Sequence, residues 1–165
     1  MSRRAKIVCT LGPATSSPGQ VTALVAAGPP PSQPEPGVPE TTGGAIARAA
    51  GEVGAAVGAR ALVAFTMTGE TARRLARCRS PIPLLAFTTE SATRSQLALT
   101  WGAETFLVQP VAHTDHMVRQ VEVALRDIGR CVQGDLVVIV AGSPPGTPGR
   151  TNALRVHCIG DAIES

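Results

Sequence analysis

Along the chain, short apolar runs alternate with longer stretches in which apolar residues recur every three or four positions. Ala61–Phe65, Pro83–Phe87, Thr105–Val108 and Leu136–Val140 are apolar-rich runs of strand length, the pattern of strands covered on both faces. Between them, Ala45–Val57, Gly69–Arg79, Glu90–Thr100 and Thr114–Ile128 read as helices. Met117, Val118, Val121 and Leu125 give the last of these one apolar face. Leu154–Ile159 alternates apolar and polar residues, as an edge strand with one wet face does, and His157 falls on the wet side. Strands alternating with helices predict an α/β fold, a three-layer α/β/α domain with a mostly parallel five-stranded sheet. The last strand follows its predecessor after only a loop, which predicts one antiparallel edge strand.

The segments ahead of this pattern differ. Lys6–Leu11 reads as a buried strand closed by Gly12-Pro13. Ser16-Ser17-Pro18 opens a helix with Val21, Leu24 and Val25 on one face and Gly28 as its C-cap. Residues 29–39 hold six prolines and read as a semi-rigid polyproline-type linker. The expected organisation is a strand-helix unit over 1–28, a linker over 29–40 and an α/β domain over 41–165.

Composition narrows the function classes. The chain has 165 residues, 44% hydrophobic and 16% charged, enough for one well-filled core. The net charge is +3, but basic residues are scattered singly, aromatics are 2% and tyrosine is missing. Nucleic acid is therefore not an expected partner. No apolar run approaches the roughly 18 residues of a membrane span, so no membrane association is expected. Met1–Lys6 followed by a short apolar stretch does not read as a secretion signal, which makes the cytoplasm the expected location. Cys9, Cys78, Cys131 and Cys158 form no CxxC pair and no zinc spacing.

Two loops carry candidate chemistry, both beyond the carboxyl ends of strands, where open α/β sheets bind ligands. In Thr66-Met67-Thr68-Gly69-Glu70-Thr71, three hydroxyls, a glycine and the free amides of a helix start are suited to cradling a phosphate. The same residues also suit plain N-capping by Thr66 or Thr68, and Glu70 would repel an anion with no lysine nearby. Gly142–Asn152 forms a stiff Gly/Pro loop in which Arg150 could hold an anion; it serves equally as the turn into the last strand. His113 and His116 flank a helix start and read as surface residues rather than a metal pair. No Walker loop, GxGxxG or nucleophile elbow occurs.

Arg4–Ala14 resembles the opening of pyruvate kinase, the first strand of its catalytic barrel. Phe65–Arg73, Gln96–Gly102, Gly134–Val138 and Ala141–Asn152 resemble the regulatory C-terminal domain of the same family. The resemblance implies a truncated pyruvate kinase-like protein, the family converting phosphoenolpyruvate and ADP to pyruvate and ATP in glycolysis. Most of the barrel, the lid domain, the Asn-x-Ser-His-Gly segment, the catalytic lysine and the acidic magnesium ligands have no counterpart in these residues. No catalytic residue is therefore assigned, and no activity is expected of the chain alone. The family uses Mg and K, and neither is expected as a cofactor here.

In many members the loop matching Thr66–Thr71 holds the phosphate of a sugar-bisphosphate activator. The resemblance thus marks Thr66, Thr68, Gly69 and Thr71, with Arg150, as effector-site candidates. Met67 stands where activated members often carry a basic residue. A phosphorylated small-molecule effector, self-association through the same domain, or docking onto an intact pyruvate kinase are the partners implied. A non-functional deletion remnant is the competing expectation.

Overall fold

The computed structural model describes residues 17–27, 40–146 and 150–162. The expected strand at Lys6–Leu11, the proline segment 29–39 and the loop tip 147–149 lie outside them. Helix α1 spans Pro18–Ala27 and opens with a capping box: Gln20 N–H donates to Ser17 Oγ at 3.3 Å, and Ser17 N–H to Gln20 Oε1 at 3.2 Å.

The following elements are α2 (Thr42–Ala56), β1 (Ala61–Phe65), α3 (Glu70–Arg77), β2 (Leu84–Thr88), α4 (Ser91–Leu97), β3 (Ala103–Leu107), α5 (Thr114–Asp127), β4 (Leu136–Ala141) and β5 (Ala153–Cys158). They build one five-stranded sheet in the order β3-β2-β1-β4-β5, parallel except for the β4–β5 pair. This is the predicted α/β architecture. Element ends moved by a few residues: β3 starts at Ala103, and α4 stops at Leu97, where the chain turns through Gly102 at φ +67°.

The sheet separates two cores. On one face α2, α3 and α4 supply Ala47, Ala50, Leu75 and Leu97 against Leu62, Leu84 and Val138. On the other, Met117, Val118, Val121 and Leu125 of α5 cover Val63, Phe87, Val137 and Ile139. Because β1 and β2 are covered on both sides, all five positions of each are buried, which explains their unbroken apolar runs.

The expectation for His157 is corrected. The polar side of β5 turns toward α5: half-exposed Arg155 Nη1 pairs with Asp115 at 3.3 Å, and His157, buried rather than wet, has its Nε2 2.8 Å from Glu122 Oε2. On the opposite face Leu154 packs against the core that includes Ala47 and Ala50 of α2, and Val156 is exposed.

Candidate functional site

From β1 the chain proceeds to β2 and β3 on one side, then returns to place β4 on the other. The direction of winding therefore reverses between β1 and β4. At such a switch point the loops leaving adjacent strands diverge and open a crevice. The two candidate loops leave these two strands. Thr66, Thr68, Glu70 and Thr71 from the first, and Gly142, Gly146, Arg150 and Thr151 from the second, line one cleft of about 30 Å³.

The buried Thr66 hydroxyl accepts the Gly69 N–H at 3.0 Å and closes the turn after β1. Gly69 is the N-cap of α3 at φ +82°, a conformation glycine adopts without strain, and a Cβ there would stand 3.1 Å from Leu97. Neither threonine caps the helix directly, since no side chain accepts a bond at this N-cap. An α-helix leaves its first amides without intrahelical partners, and here the first turn of α3 borders the cleft. Thr68 is exposed on the rim, and its carbonyl accepts from Arg73 Nη1 at 3.0 Å. Gly69 itself is not part of the cleft wall.

Thr71 Oγ1 lies 2.8 Å from Thr151 Oγ1, a buried bond between the two loops. Asn152 braces the second loop from both ends: its Oδ1 accepts the Ser143 N–H at 2.7 Å, and its Nδ2 donates to the Ser143 carbonyl at 2.9 Å. Arg150 is exposed on the wall. Glu70 is less repulsive than its sequence context predicts. Arg74 Nε donates to its Oε1 at 3.0 Å and Arg77 Nη1 lies 4.0 Å away, so two arginines one and two helical turns on supply the charge that a nearby lysine does not.

Among the described residues, no three His, Cys, Asp or Glu side chains gather as a metal site would require. His113 and His116 meet edge to face, with ring centroids 5.6 Å apart. Sequence reasoning passed over Thr151, Asn152, Arg74 and Thr41, whose hydroxyl accepts from Arg74 Nη1 at 3.2 Å. Only the density of hydroxyl and amide residues in a Gly/Pro-rich loop hinted at the first two.

The sequence model of the family described as Pyruvate kinase, alpha/beta domain matches residues 44–157. The chain belongs to this family. It is 55% identical over 124 residues to the pyruvate kinase of Mycobacterium tuberculosis, a match covering 75% of this chain and 26% of that protein. The pyruvate kinase of Corynebacterium glutamicum is 52% identical over 124 residues, with the same coverage of both chains. That of Agrobacterium vitis is 39% identical over 122 residues, covering 74% of this chain and 26% of the relative. The chain thus spans about a quarter of the length of these curated relatives.

This pyruvate kinase alpha/beta domain keeps its described cysteines away from the cleft. Burial, reinforced by the Asp135 carboxylate, pushes the Cys131 thiol up from its ordinary pKa, with Arg60 pulling weakly the other way. Burial likewise raises Cys78. Both thiols stay protonated at neutral pH and are poor nucleophiles there.

Proposed function

We propose that this pyruvate kinase-related chain is a regulatory module whose switch-point cleft binds the phosphate of a small phosphorylated effector. One observation carries the reading: Thr71 after β1 and Thr151 before β5, distant in sequence, are tied together by a buried hydrogen bond in the lining of one cleft. The start of α3 supplies amides and the positive end of a helix dipole, and Arg150 supplies a cation at the mouth. The Arg74 and Arg77 guanidiniums draw the Glu70 charge along the helix. The cleft of about 30 Å³ opens at its rim, where a phosphate group would meet the α3 amides and Arg150 with the rest of the effector outside.

The module performs no phosphoryl transfer by itself and acts in the cytoplasm. Phosphoryl transfer depends on positioning a nucleotide and a phosphoryl donor between metal and cationic groups. The family match covers the alpha/beta domain at 44–157. Self-association is a second reading, favoured by the exposed Val123 on α5 and Val156 on β5.

The test is a thermal-shift titration against fructose 1,6-bisphosphate, glucose 6-phosphate, AMP and inorganic phosphate. A ligand at about 100 times its Kd stabilises the fold by about 2.7 kcal/mol. A saturable rise that disappears in Arg150→Ala supports the cleft. A flat response across the panel defeats it and leaves self-association, read by sedimentation, as the function to pursue.

A further inference from the structure

The opposite end of the sheet, where β1, β2 and β3 begin, holds a second and larger cavity of about 250 Å³. Its floor is Leu62 of β1 with Leu75 and Ala76 of α3, and its far wall is Trp101. Leu62 and Leu75 are almost fully buried, while Pro81 and Pro83 are exposed and Trp101 and Glu104 half-exposed, so the space is a groove open to solvent over an apolar floor. An apolar cavity of about 150 Å³ accepts benzene. One of about 250 Å³ has room for two fused rings.

Two features define the chemistry of an occupant. The first is a flat wall held in place. The Arg79 guanidinium lies 3.9 Å from the centroid of the Trp101 ring, stacked over it, which fixes the indole beside the cavity. The second is a rim without net charge. Arg130 Nη2 lies 2.5 and 2.6 Å from the two oxygens of Glu104, and both residues line the cavity. A phosphate or carboxylate would have to compete with Glu104 for Arg130. A neutral group that donates or accepts a hydrogen bond can use the donors and lone pairs the ion pair leaves over.

We propose that this cavity is a binding site for a neutral, flat, bicyclic aromatic molecule whose rings lie against Trp101 and whose polar group meets the Glu104–Arg130 pair. The site is separate from the anion cleft in position and in ligand chemistry. It stands whether or not the cleft binds phosphate.

Trp101 is the one tryptophan in the chain, so its indole N–H gives a single resonance that reports on the cavity. The experiment titrates ¹⁵N-labelled protein separately with indole, quinolin-2-one and inorganic phosphate. Expected for the two bicycles are saturable shifts of the Trp101 indole N–H and of the Ala76 and Ala103 amides, with Thr68 and Thr71 unmoved. Phosphate should leave the Trp101 signal in place. Ala76→Leu fills the cavity from within a helix and should weaken the bicycles about tenfold or more, read directly from the titration. If that variant does not fold, Ser80→Leu, on the loop bordering the same cavity, serves in its place. Absence of a saturable shift at millimolar bicycle, undiminished binding in the filled variant, or equal displacement of Trp101 by phosphate would each overturn the proposal.

Discussion

The hydroxyls of Thr71 and Thr151 share a hydrogen bond at 2.8 Å, and both residues are buried. The bond joins the first turn of α3 to the segment entering β5, so it fixes the distance between the two walls of the cleft. Replacing one partner strands the other. Thr71→Val or Thr151→Val alone should each destabilise the fold by about 1–3 kcal/mol, the penalty for one unsatisfied buried hydroxyl. The double variant should lose less than the sum of the two singles. Urea unfolding of the four proteins measures the cycle, and strict additivity would show that the bond contributes nothing.

Gly142 leaves no space for a side chain. A Cβ at this position would stand 2.3 Å from the Arg150 carbonyl oxygen, a backbone atom that cannot swing away. Gly142→Ala must therefore push the 142–151 loop outward, at a cost of about 1–3 kcal/mol typical of overpacking. Any phosphate response should be lost with it. A variant that keeps both wild-type stability and wild-type phosphate response contradicts this account.

The two polar pairs between β5 and α5 are unequal. Asp115 and Arg155 are about two-fifths exposed, and an ion pair of that kind is worth about 0–1 kcal/mol. Glu122 is largely buried; it meets His157 at 2.8 Å and accepts the Gly160 N–H at 3.1 Å. Glu122→Ala removes the acceptor of both, and of Arg126 at 3.7 Å, and should destabilise by about 2 kcal/mol or more, against less than about 1 kcal/mol for Asp115→Ala. Chemical denaturation of the two variants side by side decides it, and equal losses would contradict the ranking.

Raised thiol pKa values give the fold an alkaline weakness. The folded chain holds the Cys131 and Cys78 protons more tightly than the unfolded chain does. Above the ordinary thiol pKa of about 8.5, the unfolded state sheds these protons first, so stability falls as pH rises toward the folded values. Below that window the thiols contribute no slope. Urea midpoints between neutral pH and about pH 10 should decline, and Cys131→Ala should make the decline shallower. Iodoacetamide at mildly alkaline pH should label Cys131 far more slowly in the folded protein than in urea.

How far the sequence could be read depended on what each residue faces. Leu62, Val63 and Val137 lie in strands covered on both sides, so their apolar runs named both the element and its burial. His157 was misplaced because alternation reports which residues share a face, not what packs on it. The polar face of β5 is covered by α5, with Glu122 and Asp115 waiting on the helix. Glu70 carries a full charge in sequence, but its arginine partners sit one and two turns along α3 and take effect only once the helix forms. Thr151 looked like one more polar residue in a loop because its partner is 80 positions away.

The sequence by itself determined the α/β class, the order of strands and helices in 41–165, the antiparallel last strand and the family. Hydrophobic period, helix starts and turn residues are local quantities, and they decide which segments become strands or helices. Tertiary structure decided that β4 returns beside β1, so that the loops after these two strands meet at a switch point. It also decided that the strand starts and α3 leave a cavity beside Trp101. Strand order and cavity shape arise from contacts between segments far apart in the chain. No run of neighbouring residues encodes such contacts, so they exist only once the sheet has assembled.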